Sequence, residues 1–227
     1  MKSETTPETR ESRWRRLWRE WGKPLLIALL VLGTFRSAIA DWNDVPTGSM
    51  IPTILQGDRI VVNKVAYDLK LPFTSIRLAQ WSAPVRGDVI VLYSPVDQTR
   101  LVKRVVAVPG DRLAMRDNRL IINGIVSEYE SLDTPNESLE KLGAEEGATH
   151  SVRVDRNSMM PTSFSEMIIP ADHYFVMGDH RTNSSDSRAF GPVARDLIVG
   201  QAIAVALSLD PSAGYRPRWD RFFTRLP

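Results

Sequence analysis

Residues 100–111 read RLVKRVVAVPGD, an apolar run rich in valine that stops at a Pro-Gly-Asp break. β-Branched side chains favour a pleated, half-buried strand, and a Pro-Gly pair is typical of the turn that ends one. The stretch therefore predicts a β-strand over residues 101–108. Further runs of the same character, bounded by Gly, Pro, Asn or Asp, predict strands at 59–63, 88–93, 119–122, 174–177 and 197–207.

The breaks between these runs indicate antiparallel pairing. Asn123-Gly124 separates two short apolar runs, which is the pattern of a tight β-hairpin. No long stretch with a 3.6-residue apolar period follows residue 41, and fifteen prolines and thirteen glycines supply many turns. We therefore expect the part of the chain after residue 41 to be mainly antiparallel β.

The amino-acid composition excludes several kinds of site. The chain has 227 residues, enough for one or two domains with a core. It has no cysteine, so disulfides, cysteine nucleophiles and cysteine-based metal sites are impossible. The formal net charge of +2 is too small to indicate nucleic acid as a partner. Asp172, Asp179 and Asp186 lack the spacing of a calcium loop, so we expect no metal and no other cofactor.

An apolar run at residues 24–33 follows a basic segment that contains three tryptophans. Basic residues before an apolar stretch indicate that this side faces the cytoplasm, and tryptophans suit the lipid headgroup level. The run is short against the ~20 residues of a spanning helix, but counting from Trp21 to Trp42 reaches that length. The count includes Arg36, and an arginine near a helix end can extend to the interface.

This segment has two interpretations. In the first, residues 1–22 are a cytoplasmic segment and residues 23–41 are an uncleaved transmembrane anchor. In the second, the segment is a signal peptide cleaved after Ala40, because a basic region and a short apolar region precede Ala38-Ile39-Ala40. Arg36 interrupts the approach to that cleavage site, so we predict the anchor.

Residues 42–210 are expected to form one β domain, within which residues 127–166 differ in character. Acidic side chains crowd the first half of this stretch, and Lys141 is the only basic residue among them. We interpret the stretch as a solvated, variable insertion and not as a second domain. Its acids are Glu128, Glu130, Asp133, Glu137, Glu140, Glu145 and Glu146.

The tail, residues 211–227, mixes arginines with tyrosine, tryptophan and phenylalanine. Such a mixture is typical of a segment that contacts a membrane surface. It is equally typical of a terminal segment that packs its aromatic side chains on the domain and leaves its arginines in water.

Ser49, flanked by Gly48 and Met50 just outside the apolar segment, is a candidate nucleophile. The sequence places no histidine near it, so the candidate base is Lys103 in the predicted strand 101–108. An amine acts as a base only if its pKa falls from about 10.4 towards neutrality, which burial among apolar side chains achieves. Taken alone, Ser49 also fits a turn serine, and Lys103 an exposed strand lysine.

Five segments, in this order, resemble the successive motifs of bacterial type I signal peptidase, the leader peptidases with a Ser/Lys dyad. They read PTGSMIPT at 46–53, GD at 57–58, RGDVIV at 86–91, VKRVVAVPGD at 102–111 and MGDHRTNSSDSR at 177–188. The resemblance covers about residues 41–125 and 168–207, and the shared order and spacing make it specific. It implies an all-β, antiparallel, barrel-like catalytic domain with an inserted loop region, on one N-terminal transmembrane helix.

The resemblance also implies roles for individual residues. Ser49 would be the nucleophile and Lys103 the general base. The Ser49 backbone N–H and the Thr47 hydroxyl would form the oxyanion hole. Ser184 would orient the lysine amine through a hydrogen bond. Structural support would come from Arg104 paired with Asp179, Asp186 paired with Arg188, and Asn183.

Substrate selection would follow from shape, since small side chains at alternate positions of an extended signal peptide would enter two shallow apolar pockets. The candidate pocket residues, each of which also fits an ordinary core position, are Val45, Pro46, Met50, Ile60, Val91 and Val102. Between two motifs, Phe73, Leu78 and Trp81 are expected to form an exposed apolar patch that dips into the membrane.

Some positions depart from the family pattern. His180 stands where the family usually carries asparagine, and we interpret it as a tolerated surface change or a residue one layer behind the site. Thr47 replaces a common serine but keeps the hydroxyl, and Thr182 departs without obvious harm. Ser158-Met159-Met160-Pro161-Thr162 repeats the pattern of the nucleophile without its preceding glycine, which we interpret as coincidence.

The resulting hypothesis is a serine endopeptidase of the bacterial inner membrane that removes signal peptides from exported preproteins. Its partners would be those signal peptides and membrane lipid, with the catalytic domain on the periplasmic or extracytoplasmic side. One alternative is a specialised relative that processes a single conjugation or pilus substrate. Another is a catalytically silent anchored binding protein. A self-cleaving repressor also uses a Ser/Lys dyad, but the short N-terminus leaves no room for its DNA-binding module.

Overall fold

The structure is a computed structural model, and it describes residues 10–71, 74, 76–143, 148–155 and 160–227. The described part of the chain begins with a helical segment. It consists of α1 (Arg10–Leu17), a π-helical turn (Trp18–Gly22) and α2 (Lys23–Ala38). Within these described residues, no helix is both long enough and apolar enough to cross a membrane.

Strands are the main regular structure of the remaining described chain. In chain order they are β1 (Ala40–Asp44), β2 (Asp58–Asn63), β3 (Asp68–Lys70), β4 (Arg77–Gln80), β5 (Val89–Tyr93), β6 (Arg100–Ala107), β7 (Arg112–Arg116), β8 (Arg119–Ile122), β9 (Ile125–Val126), β10 (Glu128–Ser131), β11 (Glu137–Lys141), β12 (Thr149–Arg153), β13 (Phe164–Ile168), β14 (His173–Met177), β15 (Val193–Ala194), β16 (Ile198–Asp210), β17 (Arg216–Pro217) and β18 (Thr224–Arg225). The short helix α3 (Ser187–Phe190) and the 3₁₀ turns Arg195–Leu197, Pro211–Ala213 and Trp219–Arg221 lie among them.

One large antiparallel sheet organises the molecule. Its strand order is β1-β2-β16-β5-β6-β14-β15, and β17 and β18 also pair with β16. The register of β16 shifts where it pairs with β2 and with β5, and such bulges increase the twist of a sheet. The described residues also form three smaller sheets, with strand orders β10-β11-β12, β13-β7-β8-β9 and β3-β4.

The period-2 alternation of side chains along β5 gives the large sheet a core on both faces. Val89 and Val91 pack into one cluster, which we call the front cluster, and Ile90 and Leu92 pack into another on the opposite face. The buried members of the front cluster are Val45, Met50, Ile54, Ile60, Val62, Val89, Val91, Ala202 and Val205.

The sequence-based strand predictions are confirmed, with ends that differ by a few residues at most. The predicted hairpin is also confirmed: Ile122 pairs with Ile125, and Asn123 and Gly124 have φ angles of 53° and 84°. Those left-handed angles are the ones that a two-residue Asn-Gly turn requires. The fold class is confirmed as mainly antiparallel β, but the large sheet curls into a half-barrel, with β1 and β15 at its two ends.

The sequence had suggested that the acidic insertion is solvated throughout, but one of its acidic side chains is buried. Glu128, Glu130 and Asp133 are exposed, as expected for a solvated face. Glu140, however, is fully buried between β10 and β12 and forms an ion pair with the equally buried Arg181. The prediction is wrong for Glu140 because a buried cation compensates its charge. The predicted acids Glu145 and Glu146 lie outside the described residues.

The structure contradicts one of the two interpretations of the tail, residues 211–227. Tyr215, Trp219 and Phe223 are strongly exposed, whereas Arg218 and Arg221 bind acidic side chains of the domain. The interpretation with packed aromatics and solvated arginines is therefore wrong. Contact of the exposed aromatics with a membrane stays a prediction.

The apolar patch near β4 is exposed where the structure describes it. Leu78 and Trp81 each expose 56% of their surface. Phe73, the third member, lies outside the described residues. Insertion of this patch into lipid stays a prediction.

Candidate active site

Ser49 lies in the turn between β1 and β2, and buried residues that follow it fix this turn on the core. Met50 and Ile54 are fully buried in the front cluster, and the Ile54 N–H donates to the Met50 carbonyl at 2.9 Å. We call residues 47–58 the nucleophile turn, after the candidate nucleophile Ser49. Two buried apolar anchors one helical turn apart hold this turn on the core and leave Ser49 half-buried.

Lys103 reaches Ser49 from β6, fifty-four positions along the sequence. Its side-chain nitrogen Nζ lies 2.8 Å from Ser49 Oγ and donates a 3.0 Å hydrogen bond to the carbonyl of Val102. The residue is only 2% exposed. The two atoms that the sequence singled out are therefore within hydrogen-bonding distance.

Burial changes the chemistry of that amine. Desolvation is the largest influence and lowers the pKa of Lys103 to about 8, although Asp186 and Asp179 act in the opposite direction. The nearby guanidinium of Arg188 lowers the pKa further. A substantial fraction of Lys103 is therefore neutral at mildly alkaline pH, as a general base requires.

Two buried ion pairs flank the lysine. Arg104 donates to both oxygens of Asp179, at 2.9 and 2.8 Å, and Arg188 donates to both oxygens of Asp186, at 2.9 and 2.8 Å. Burial on its own opposes ionisation of Asp179, but the charge and hydrogen bonds of Arg104 outweigh it and keep the Asp179 pKa below its usual value. Both predicted ion pairs are thus present, and the lowered pKa of Asp179 keeps its carboxylate ionised at neutral pH.

Gly178 explains how closely the motif at 177–188 approaches Ser49. A Cβ atom at this position would collide with the Ser49 carbonyl oxygen and with Ser184 Oγ. Its backbone N–H donates to Asp186 Oδ2 at 3.0 Å. Only glycine lets the segment around residue 178 and the segment around Ser49 lie this close together.

Ser184 departs from its predicted contact. The residue is buried, but its Oγ has no hydrogen-bond partner among the described residues, and Lys103 bonds to the Val102 carbonyl instead. The Ser184 hydroxyl oxygen lies beside Gly178, where a Cβ atom would collide with it. The predicted hydrogen bond to the lysine amine is therefore not formed in this structure.

Thr47 and Asn183 are both exposed at the rim of the site. Thr47 begins the nucleophile turn two residues before Ser49. The backbone N–H of Asn183 donates to the His180 carbonyl at 3.0 Å, which closes the turn ahead of Ser184. The oxyanion role of Thr47 stays a prediction.

His180 is not a surface residue, which corrects one of its two interpretations. It is 7% exposed, and its backbone N–H donates to the Ser49 carbonyl at 3.1 Å. Its ring lies between two oxygens: Nδ1 is 3.2 Å from Gly48 O, and Nε2 is 2.7 Å from Asp155 Oδ2. His180 therefore connects the nucleophile turn to the insertion.

The predicted pocket residues divide by burial. Met50, Ile60 and Val91 have no exposed surface and are ordinary members of the front cluster, because inward positions of strands and turns point into the core. Surface for a peptide remains at two of the other three positions, since Pro46 is exposed and Val102 is partly buried. Val45 is 4% exposed.

Sequence reasoning missed two residues that support the site. The Thr53 hydroxyl donates to Asp179 Oδ2 at 2.5 Å, and Asp155 binds His180. Thr53 stood inside a quoted motif, where a hydroxyl four residues after Ser49 was a usable signal. Asp155 lies in the insertion, and no local pattern marked it.

Known proteins match the chain over most of its length. The family model described as "Signal peptidase, peptidase S26" matches residues 18–207. Signal peptidase I of Pseudomonas fluorescens is 35% identical over 222 residues, covering 89% of this chain and 77% of that protein. Signal peptidase I T of Bacillus subtilis (strain 168) is 33% identical over 183 residues, covering 80% of this chain and 81% of that protein. The chain therefore belongs to the signal peptidase family S26 and is a serine endopeptidase.

Proposed function

We propose that this chain removes N-terminal signal peptides from exported preproteins with Ser49 as nucleophile and Lys103 as general base. Membership of the signal peptidase family supports the reaction. The observation that carries the mechanism is the 2.8 Å distance between Lys103 Nζ and Ser49 Oγ, combined with the burial of the amine.

Acylation begins with Lys103 neutral. Ser49 Oγ attacks the scissile carbonyl carbon while its proton moves to Lys103 Nζ. The tetrahedral intermediate collapses as the C–N bond breaks, and the Lys103 ammonium gives its proton to the leaving amine of the mature protein. The signal peptide remains as an ester on Ser49.

Deacylation uses the same base in reverse order. Neutral Lys103 takes a proton from a water molecule, whose oxygen attacks the ester carbonyl carbon. The Ser49 oxygen leaves and recovers its proton from Lys103. In both halves, the Ser49 backbone N–H and the Thr47 hydroxyl would stabilise the oxyanion.

Two ion pairs are proposed to brace the dyad. Arg104 is the neighbour of Lys103 on β6, and its bond to Asp179 fixes the strand position from which the amine extends. Asp186 accepts from the Gly178 N–H and pairs with Arg188, which holds the motif against Ser49. Neither pair donates or accepts a proton in the reaction.

Replacing Ser49 with alanine is expected to abolish cleavage of a model preprotein, with a fall in rate of about 10³-fold or more, because no acyl-enzyme forms. The measurement is processing of a purified preprotein by the full chain in detergent. Ser158→Ala is the matched control, since Ser158 begins the same Ser-Met-x-Pro-Thr pattern. It lies outside the described residues, and its variant should retain full activity. The reverse pair of results contradicts the assignment of Ser49.

We also propose that residues 23–41 anchor the enzyme in the bacterial inner membrane, with residues 1–22 in the cytoplasm. The catalytic domain, residues 42–210, would lie on the periplasmic or extracytoplasmic side. The support is that α2 exposes apolar side chains all around its axis, and a helix that is apolar on every side requires an apolar environment. These exposed side chains are Leu25, Leu26, Ile27, Leu29, Leu30, Val31 and Leu32.

The helix length also bears on this proposal. The 16 residues of α2 extend about 24 Å at ~1.5 Å per residue, which is less than the ~30 Å hydrocarbon core. The π-helical turn Trp18–Gly22 continues the helix towards exposed tryptophans and arginines, which suit the interface.

N-terminal sequencing of the protein recovered from membranes distinguishes the anchor from a cleaved signal peptide. We expect the mature chain to retain residues 23–41 and to resist extraction by alkaline carbonate, since an inserted helix is released only by detergent. A mature chain that begins at Asp41, released without detergent, would refute the anchor and leave the dyad proposal untouched.

A further inference from the structure

The C-terminal segment, residues 218–227, lies against the nucleophile turn and beyond residue 207, where the family match ends. The two-residue strands β17 and β18 hold the chain on β16, with Pro217 opposite Leu209 and Thr224 opposite Val205. The family match therefore does not cover this segment.

Arg221 binds two groups of the nucleophile turn at once. Its Nη2 donates to the Thr53 carbonyl at 3.0 Å and to Asp58 Oδ2 at 2.6 Å. Asp58 is fully buried and also accepts from the Leu55 N–H at 2.9 Å. The guanidinium thus compensates a buried carboxylate and holds a carbonyl four residues after Ser49.

Thr53 is consequently held from both sides. Arg221 binds its carbonyl, while its hydroxyl donates to Asp179, which is paired with Arg104. Arg104 is the neighbour of Lys103 on β6. One residue of the nucleophile turn therefore connects the tail to the strand that carries the general base.

Three further contacts join the tail to the same region. Arg218 donates to the Gln56 carbonyl at 3.0 Å, and Arg104 donates to the Pro227 carbonyl at 3.3 Å. Leu226 packs against the front cluster, which contains the anchor Met50. The tail contacts the turn through hydrogen bonds, an ion pair and apolar packing.

We propose that residues 218–227 position the nucleophile turn, and that Arg221 is the positioning residue through which they act. The proposal rests on the proposed Ser49/Lys103 dyad. Proton transfer and attack require Ser49 Oγ at a fixed place relative to Lys103 Nζ, and a displacement of about 1 Å costs on the order of 10²-fold in rate. Arg221 touches neither atom and fixes the backbone that carries one of them.

Arg221→Ala is expected to lower kcat by about 10- to 100-fold while KM changes by less than about twofold, because the substrate surface stays intact. The inflection of the pH–rate profile should stay at about 8, since Arg221 is not among the groups that shift the Lys103 pKa. Arg225→Ala is the matched control: Arg225 is exposed in the same segment and pairs with β16 through its backbone. It should keep kcat and KM.

A second variant separates positioning from loss of a buried charge partner. In Asp58→Asn with Arg221→Met, no carboxylate is left uncompensated, so circular dichroism should show a fold as stable as the wild type. The Thr53 carbonyl still lacks its donor, so kcat should stay low. Recovery of wild-type kcat in this double variant, or an Arg221→Ala kcat within twofold of wild type, overturns the proposal. Processing by Ser49→Ala would instead overturn the dyad itself.

Discussion

Lys103→Ala abolishes preprotein processing, with kcat reduced by about 10³-fold or more, if the buried amine is the general base. General acid–base catalysis alone contributes about 10²–10⁴-fold, and in the proposed mechanism one amine serves both acylation and deacylation. Preprotein cleavage by the full chain in detergent measures the loss. Lys103→Arg should be equally inactive, because a guanidinium keeps its proton at every accessible pH. An active arginine variant would exclude Lys103 as the base.

The pH dependence provides the sharper test of the same residue. In the proposed mechanism the neutral amine is the reacting form, so log(kcat/KM) should rise with unit slope as pH increases and level off above the Lys103 pKa of about 8. An amine at its ordinary pKa would leave the rate rising beyond pH 10. A profile that is flat from pH 6 to 9 would contradict the lysine mechanism, whichever residue acts as nucleophile.

The sequence predicted the elements of this site better than it predicted their contacts. Lys103 was singled out because it lies in an apolar strand. Taken alone it also fitted an exposed strand lysine, and its assignment needed the other motifs. Ser184 was identified by its motif, but its hydroxyl lies beside Gly178 and has no hydrogen-bond partner among the described residues. A side-chain rotamer is decided by packing of that kind, which a motif does not encode.

The second limit of the sequence-based prediction was ion pairs between residues that lie far apart in the sequence. Arg221 and Asp58 are 163 positions apart, and Arg181 and Glu140 are 41 positions apart. Charge runs predict solvation on average, yet one residue of a run can be buried when the fold supplies a cation for it. Glu140 in the insertion and one of the two interpretations of the tail were misjudged for this same reason. The strands that were predicted, by contrast, follow from local composition.

Glu140→Ala is expected to destabilise the protein by about 3–5 kcal/mol, because it leaves Arg181 as a buried cation without its partner. Both side chains are at most 1% exposed, and Arg181 Nη1 donates to Glu140 Oε1 at 3.1 Å, with a second bond from Nη2 to Oε2. The Tyr129 hydroxyl also donates to Oε1. Urea unfolding of the full chain in detergent, followed by circular dichroism, measures the change.

Glu128 is the matched control, since it belongs to the same acidic run and its side chain is 76% exposed. Glu128→Ala should change the free energy of unfolding by less than about 0.5 kcal/mol. Equal effects of the two substitutions would mean that the buried pair contributes nothing that the exposed acids do not.

The same pair predicts how stability depends on acid. Burial alone would raise the Glu140 pKa, but Arg181 and His150 outweigh it and lower the value to about 2, from 4.5 in the unfolded chain. Since the folded pKa is the lower one, the stabilisation is complete above pH 4.5 and is lost as pH falls from 4.5 towards 2. The loss amounts to about 3 kcal/mol. Glu140→Gln should be less stable than wild type at neutral pH, and the difference should shrink over that acid window. A difference that stays constant with pH would show that ionisation of Glu140 does not stabilise the fold.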